Sequence, residues 1–526
     1  MKKVSIAAII IMILLNLIII ANVLSNHSTS FMDEKLIYLS TSHLFNTGNL
    51  GIDNSFNKNL STCIFSSQLV SSDFKGHSFF SVYSLTPIFF LPFRIVFGDY
   101  FQTAVTYLFS SINIILMYLI SRRLFKKDAI PVIITLFFIL FPVFTKFEIS
   151  FFNIVPSLSF FLLSIYYLFF SDSKYKYTLS GIYFSIILFL RPQEVLFTIP
   201  FLLIIWLNDK KIKSLLKFIT PIIIYCIIAL IINYFIYKNS LFVSPAYAQN
   251  FPCLQLETIK YYSKNGLVDS FKYLVFGADR LKSIFENLYF LFKFKFAYPL
   301  IIPAVLSFAL FFKKNKKLAI FSGMLLLITL LLYGRYTGSY YGYSTEDLNS
   351  SFFRYFFYIY IMLTLYLGYL LDKIVYNQKK IISFFIITLL FFSLAYTIYY
   401  QPNGFLDYNK TRNSNYDNSN KLYNYTTNNT ILILDFYTAQ LIKNEQNNVI
   451  DLNKIYIDSR AENNTVDLEL LKVINLALEK NISILYTGKL GQNEAFENNI
   501  RSNYAIENVT IFQNYYSSFF IKNRLS

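Results

Sequence analysis

Long apolar runs separated by short polar breaks fill the first 400 residues. As helices, runs of about 18 residues or more cross roughly 30 Å of hydrocarbon. The pattern predicts spans at about 4–24, 101–120, 129–145, 154–170, 178–190, 194–207, 217–237, 297–312, 317–333, 352–371 and 380–399, about eleven in all. The runs are continuous and do not alternate, which argues against a β-barrel. Two stretches stand out. Residues 79–98 (FFSVYSLTPIFFLPFRIVFG) are apolar enough to cross, but Pro87, Pro92 and Arg94 interrupt them, predicting an in-plane or re-entrant helix. The stretch 178–207 is too long for one span and breaks at Arg191-Pro192-Gln193-Glu194. It predicts a hairpin whose two legs, each about 20 Å at 1.5 Å per residue, leave the tip partly sunk in the membrane.

Three polar segments lie outside this pattern, at about 25–100, 238–296 and 401–526. The expected organisation is a membrane-embedded domain over 1–400, carrying the first two as outer loops, and a small α/β domain over 401–526. Within the latter, 430–435 and 482–486 have the composition of buried strands, 468–478 that of a helix, and 401–427 that of a polar linker.

Composition narrows the class. The 526 residues are 55% hydrophobic and only 15% charged, whereas a soluble domain carries about a quarter charged residues. A soluble enzyme, a disordered chain and a disulfide scaffold are excluded. The formal charge of +17 would suggest nucleic acid in a soluble protein. Here the basic residues cluster at 2–3, 122–127, 174–176, 209–217, 313–317 and 372–380, and every cluster falls inside if the N-terminus is inside. This is the positive-inside pattern. The partner is the lipid bilayer, with no nucleic acid. The expected location is the plasma membrane, multi-pass, with a cytoplasmic N-terminus and an extracytoplasmic C-terminal domain. The N-terminal apolar run exceeds the roughly 7–15 residues of a signal-peptide core and no small-residue cleavage site follows it, so it reads as an uncleaved first helix. Cys63 and Cys253 both fall in outer loops, which leaves a bridge between them open, and Cys226 lies in a span.

Polar groups that are not inner anchors gather on the outer side: Asp33, Glu34, His77, Glu148, Arg191, Glu194, Arg335, Glu346, Asp347 and Arg354. Charges in mid-span are scarce. A transporter or lipid flippase, the main alternative, needs a polar path through the midplane and commonly internal repeats, and neither is visible. A non-catalytic scaffold of an envelope machine is a third reading. The pair Asp33-Glu34 offers a base for an acceptor hydroxyl and a group to orient it or hold a cation. Equally, Ser30-Phe31-Met32-Asp33 is a capping-box pattern that only starts a helix. Arg191 and Arg354-Tyr355 offer the planar fork that recognises phosphate. Equally, Arg354 suits an interfacial anchor and Arg191 a local pair with Glu194. Tyr341, in Gly338-Ser339-Tyr340-Tyr341-Gly342-Tyr343, suits sugar stacking or an aromatic belt. His77 is isolated, which is more often a surface or hydrogen-bonded histidine.

Taken together, these features resemble the GT-C integral-membrane glycosyltransferases. The branch they are most similar to holds the protein O-mannosyltransferases, the lipid A aminoarabinose transferases and the RgtA/B/C/D-like lipopolysaccharide-core transferases. The resemblance, over about residues 1–400, rests on five features in order. These are the acidic pair Asp33-Glu34 with Tyr38 one turn on; the Pro-interrupted segment from Thr86-Pro87 to Phe97-Gly98; the span ending in Arg122-Arg123; the hairpin with Arg191-Pro192; and Arg354-Tyr355 opening a late span. Glu148 and Asn153 stand nearest the place where the family usually carries an Asp, and Phe356 replaces the usual Pro after Arg-Tyr. The resemblance implies a polyprenyl-phosphate sugar donor, a lipid, glycan or protein acceptor, and an inverting displacement. It implies Asp33 as general base and Glu34 as an orienting group or ligand of a divalent metal, which some members use. It implies Arg191, Arg354 and Tyr355 at the donor phosphate, and Tyr38, His77, Tyr83, Glu148, Glu194 and Tyr341 around the substrates.

Overall fold

A computed structural model describes residues 32–53, 70–72, 77–80, 85–140, 153–237, 311–333, 356–377, 430–434, 448–451, 463–489, 494–511 and 516–523, with shorter pieces between 6 and 17 and near 307, 388 and 420. The chain divides into two compact units. One comprises Met1–His27, Phe97–Ala229 and Phe271–Lys410, the other Ser28–Val96, Leu230–Ser270 and Thr411–Ser526.

The first unit is helical. Its described helices are α1 (Phe101–Leu124), α2 (Ala129–Leu140), α3 (Ile154–Phe170), α4 (Lys176–Leu190), α5 (Thr198–Asp209), α6 (Ile212–Tyr237, which belongs to this unit through Ala229), α7 (Lys316–Tyr333) and α8 (Phe357–Asn377). They meet through small and polar groups, as helices in hydrocarbon do. Ser164 of α3 and Ser180 of α4 donate to each other's carbonyls at 2.9 and 3.0 Å. Asn113 of α1 donates to the Val155 carbonyl at 3.2 Å and accepts from Ser159 at 2.7 Å. Asn16 donates to Ser110 at 2.6 Å. A Cβ on Gly181 would stand 2.3 Å from the Phe218 carbonyl oxygen, so α4 and α6 touch backbone to backbone there. A Cβ on Gly368 would meet Ile134 and the Phe125 ring at 2.7 Å, which fixes the approach of α8 to α2. Between the helices Phe201 stacks on Phe218 at 5.4 Å and meets Phe321 edge-on at 5.0 Å.

One end of this unit collects basic clusters. Lys317 donates to Asn208, at the end of α5, at 2.5 Å. Asp209 feels the charges of Lys176 and Lys211. Lys314 shares a cavity with Arg122, Arg123 and Lys126. The hairpin turn with Arg191 lies at the other end of α5, about 18 Å away for 12 residues.

By length and apolarity, two helical stretches among the described residues suffice to cross a membrane, Leu85–Leu124 and Ile212–Ile232, while α2, α3 and α4 are shorter apolar helices. On α6 the side chains of Ile212, Leu216, Ile223, Ile224, Ile227 and Phe235 stand exposed, an apolar face that water does not favour.

Three expectations need correction. The second hairpin leg begins at Thr198, not at 194, because Pro192–Phe197 forms a 3-10 helix. Pro92 lies inside the helix Leu85–Phe97 without ending it, and Arg94 is packed, its guanidinium 5.4 Å from the Phe45 ring. Residues 77–80 are a strand rather than the start of that helix. The helix itself has 13 residues, about 20 Å and short of a crossing, and runs into α1 through a 3-10 turn where Gly98 takes φ +56°.

The second unit holds two sheets. In the first polar segment the helix Met32–Thr47 precedes β1 (Gly51–Asp53), β2 (Val70–Ser72) and β3 (His77–Phe80), an antiparallel sheet of order β1-β3-β2 that the sequence pattern did not predict. The tail contributes β4 (Thr430–Leu434), β5 (Asn448–Asp451), β6 (Ser483–Lys489), β7 (Ala505–Asn508) and β8 (Tyr516–Lys522), in the order β5-β4-β6-β8-β7. The β4 pairings are parallel and the β8 pairings antiparallel. The helices Asn463–Glu479 and Glu494–Asn503 cover it, and Ile433, Leu470, Ile474, Ile484, Tyr486 and Phe519 form its core. Cys63 and Cys253 lie outside the described residues, and Cys226 is a free, half-buried thiol.

Candidate functional site

The turn between α4 and α5 is built by its proline. Arg191 leaves the helical conformation (φ −144°, ψ 75°), as a residue before proline tends to. Its N–H still reaches the Ile187 carbonyl at 2.7 Å, and the Glu194 N–H reaches the Arg191 carbonyl at 3.0 Å. That tight turn folds Glu194 back beneath Arg191. The Arg191 Nε–H donates to Glu194 Oε1, and the Tyr358 hydroxyl donates to Glu194 Oε2 at 2.7 Å. The three are buried, with exposures of 3%, 1% and 1%. Tyr358, in the first turn of α8, is wedged against Phe161, with ring centroids 4.3 Å apart, and meets Phe197 edge-on. From the N-cap of α3, the Asn153 amide donates to the Leu190 carbonyl at 2.9 Å. Four segments therefore converge on the Arg191 turn.

A buried ion pair stabilises a fold poorly compared with apolar groups of similar volume. Charge kept between apolar helices therefore marks a candidate functional site. Of the two readings of Arg191 met in the sequence, the local pair with Glu194 is present.

Tyr358 escaped the sequence reading, and Asn153 entered it only as a stand-in for an Asp. A signal for Tyr358 existed. It follows Arg354 by four residues in an otherwise apolar run, and a buried tyrosine hydroxyl usually has a partner.

The acidic pair belongs to the second unit, Arg191 and Glu194 to the first. Position 33 falls in the first turn of Met32–Thr47, where a carboxylate favours the helix dipole. Glu34 is fully buried, and Tyr38 follows one turn later, half-buried, on the same helix face. His77 opens β3, and the strand register places it opposite Asp53. Tyr83, Glu148, Tyr341, Arg354 and Tyr355 lie outside the described residues, as does the side chain of Asp33. Among the described residues, no three His, Cys, Asp or Glu side chains converge as a metal site.

No protein-family model matches the chain, and no curated protein matches it. Solved structures do. The crystal structure of ArnT from Cupriavidus metallidurans bound to undecaprenyl phosphate aligns with 99% of this chain and 98% of its own, with a TM-score of 0.50 and 9% identity. ArnT in its apo state aligns over 98% and 97%, again with a TM-score of 0.50 and 9% identity. The Archaeoglobus fulgidus oligosaccharyltransferase, in complex with Zn and sulfate, aligns over 92% and 69%, with a TM-score of 0.47 and 11% identity. At 9% identity, what the chain shares with ArnT is the fold.

Proposed function

We propose, for a chain that has the fold of the GT-C integral-membrane glycosyltransferases, that it moves a sugar from a polyprenyl-phosphate donor to an acceptor hydroxyl at the outer face of the plasma membrane. The observation that carries this reading is the buried Arg191–Glu194–Tyr358 cluster at the Arg-Pro turn. In the same fold, ArnT is found bound to undecaprenyl phosphate.

In the reaction, the acceptor oxygen attacks the anomeric carbon while the bond from that carbon to the phosphate oxygen breaks. One displacement inverts the configuration. The acceptor proton passes to Asp33, and Glu34 orients the hydroxyl or holds a divalent cation. The leaving group is a phosphate, so negative charge grows on its oxygens as the bond breaks. Arg191, held by Glu194 and Tyr358, acts there with Arg354 and Tyr355, and fixed donors in a water-poor site stabilise such charge strongly. Tyr38, His77, Tyr83, Glu148 and Tyr341 line the approach of donor and acceptor. In this reading residues 1–400 hold about eleven spans with the N-terminus inside, and the tail 401–526 is extracytoplasmic. The short helix Leu85–Phe97 lies in the outer interface, an arrangement suited to its exposed Ile95 and Val96.

The test is incubation of the purified protein with labelled polyprenyl-phosphate sugars and membrane extract. A labelled product is expected. Asp33→Asn should lower turnover at least about 100-fold, the lower bound for a general base, while the protein stays folded. Full turnover in Asp33→Asn removes that residue from the mechanism, and no product from any sugar donor removes the transferase reading.

A further inference from the structure

The end of the helical unit opposite Arg191 contains a cavity of about 430 Å³, within the roughly 300–1,000 Å³ of small-molecule sites. Arg122, Arg123, Lys126 and Lys314 line it, with Asp128 as the one carboxylate among its lining residues. We propose that this cavity binds a phosphate-bearing anion.

The helix end accounts for only part of the charge. Arg122 and Arg123 occupy the last turn of α1, where cations favour the dipole. Lys126 lies beyond that helix, and Lys314 comes from a distant segment. Simple snorkelling anchors would spread such charges over a convex rim. Here Arg123, Lys126 and Lys314, though exposed, line one concave space with Arg122, so the four like charges repel one another and favour an anion among them. The loop is also held in place. Phe125 takes an extended conformation (φ −111°, ψ 140°) and buries its ring at Gly368 of α8, which turns the chain so that Lys126 lines the same cavity as Arg122. Lys314 is positioned over the Tyr369 ring at 4.8 Å, also on α8. Asp128 and Pro131, at the start of α2, form another wall, and a helix N-terminus adds partial positive charge.

An oxyanion with two or more acceptor oxygens matches this set, since arginine forks bind phosphate in pairs of parallel hydrogen bonds. The phosphate comes from the headgroup of an anionic lipid in the adjacent leaflet or from a soluble phosphate compound. Basic pockets between membrane helices take lipid headgroups in this way. Anion binding itself is independent of the proposed sugar transfer, and only the identity of the leaflet rests on the proposed orientation.

The experiment uses the full chain in neutral detergent. One arm counts bound phosphatidylglycerol against phosphatidylcholine by native mass spectrometry, and the other measures equilibrium binding of labelled pyrophosphate. The cavity variant is Arg122→Gln with Lys126→Gln and Lys314→Gln. The control removes equal charge from the same end, as Lys174→Gln with Lys213→Gln and Lys217→Gln. The cavity variant is expected to lose binding about tenfold in one arm, and the control less than twofold. Loss in the phosphatidylglycerol arm identifies a lipid headgroup, and loss in the pyrophosphate arm a soluble phosphate. Equal losses in both variants, or no loss in either, overturn the proposal. If the triple variant does not fold, Lys314→Gln alone, at an exposed side chain, is expected to cost about threefold, and unchanged binding there overturns the proposal as well. A protein that binds the anion but transfers no sugar would reject the transferase reading and leave this site standing.

Discussion

Glu194 uses both carboxylate oxygens, one for Arg191 three residues earlier and one for Tyr358 from another helix. The first contact could be read from the sequence, because i, i+3 neighbours meet whenever the backbone turns helically. The second joins residues 164 apart, and no local rule reports it. The two contacts also differ in consequence. Tyr358→Phe leaves a buried acceptor with one partner fewer and is expected to cost about 1–3 kcal/mol. Glu194→Ala leaves the guanidinium buried without its carboxylate and is expected to cost about 3–5 kcal/mol. Thermal unfolding in detergent measures both. The triple change Arg191→Met with Glu194→Leu and Tyr358→Phe removes the pair and its hydroxyl partner together and should leave stability nearly unchanged. If the guanidinium serves the donor phosphate, that protein is folded and inactive. If it is folded and fully active, the pair is structural only.

Among the secondary-structure elements, boundaries followed backbone chemistry that apolar runs do not encode. Pro192 opens a 3-10 turn and delays α5, whereas Pro92 is accommodated within its helix. Helix contacts depend on a few small residues. Gly181→Ala would force a methyl against the Phe218 carbonyl and is expected to destabilise by about 1–3 kcal/mol, the usual cost of overpacking. Gly323→Ala meets nothing within 4 Å on α7 and is expected to be neutral or to stabilise by up to about 1 kcal/mol, through helix propensity. The same unfolding measurement separates the two. The connection between α5 and α6 responds to pH. Burial pushes the Asp209 carboxyl up, but the hydrogen bond from Ser214, at 2.8 Å, and the charges of Lys176 and Lys211 outweigh it, so its pKa lies below the ordinary value. A carboxyl lowered on folding adds stability above its unfolded pKa of about 3.9 and loses it as pH falls through the folded value. The melting-temperature gap between the wild type and Asp209→Asn should therefore hold steady above about pH 5 and close on further acidification. A gap that widens in acid would reverse the assignment.

Across the entire chain, charge and topology act together. The clusters around 122–127, 174–176, 209–217 and 313–317 are far apart in sequence, yet they meet at one end of the helical unit, with the Arg191 turn at the other. A bilayer with its basic side at that end is the arrangement the positive-inside rule predicts. A reporter fused near Asp128 should score cytoplasmic and one near Thr430 extracytoplasmic. Reversal of either would break the orientation and would move the proposed transfer to the other face.

The mainly helical, membrane-type fold, the Arg-Pro hairpin and the principal strands of the tail were legible in the sequence. Each follows from hydrophobic runs and neighbours within one or two turns, forces that act over a few residues. The partner of Glu194, the antiparallel sheet of the first polar segment and the cavity at the basic end emerged only from packing. They join segments whose contact depends on how helices and strands approach, and that approach is decided by side-chain volume and shared hydrogen bonds after the elements have formed.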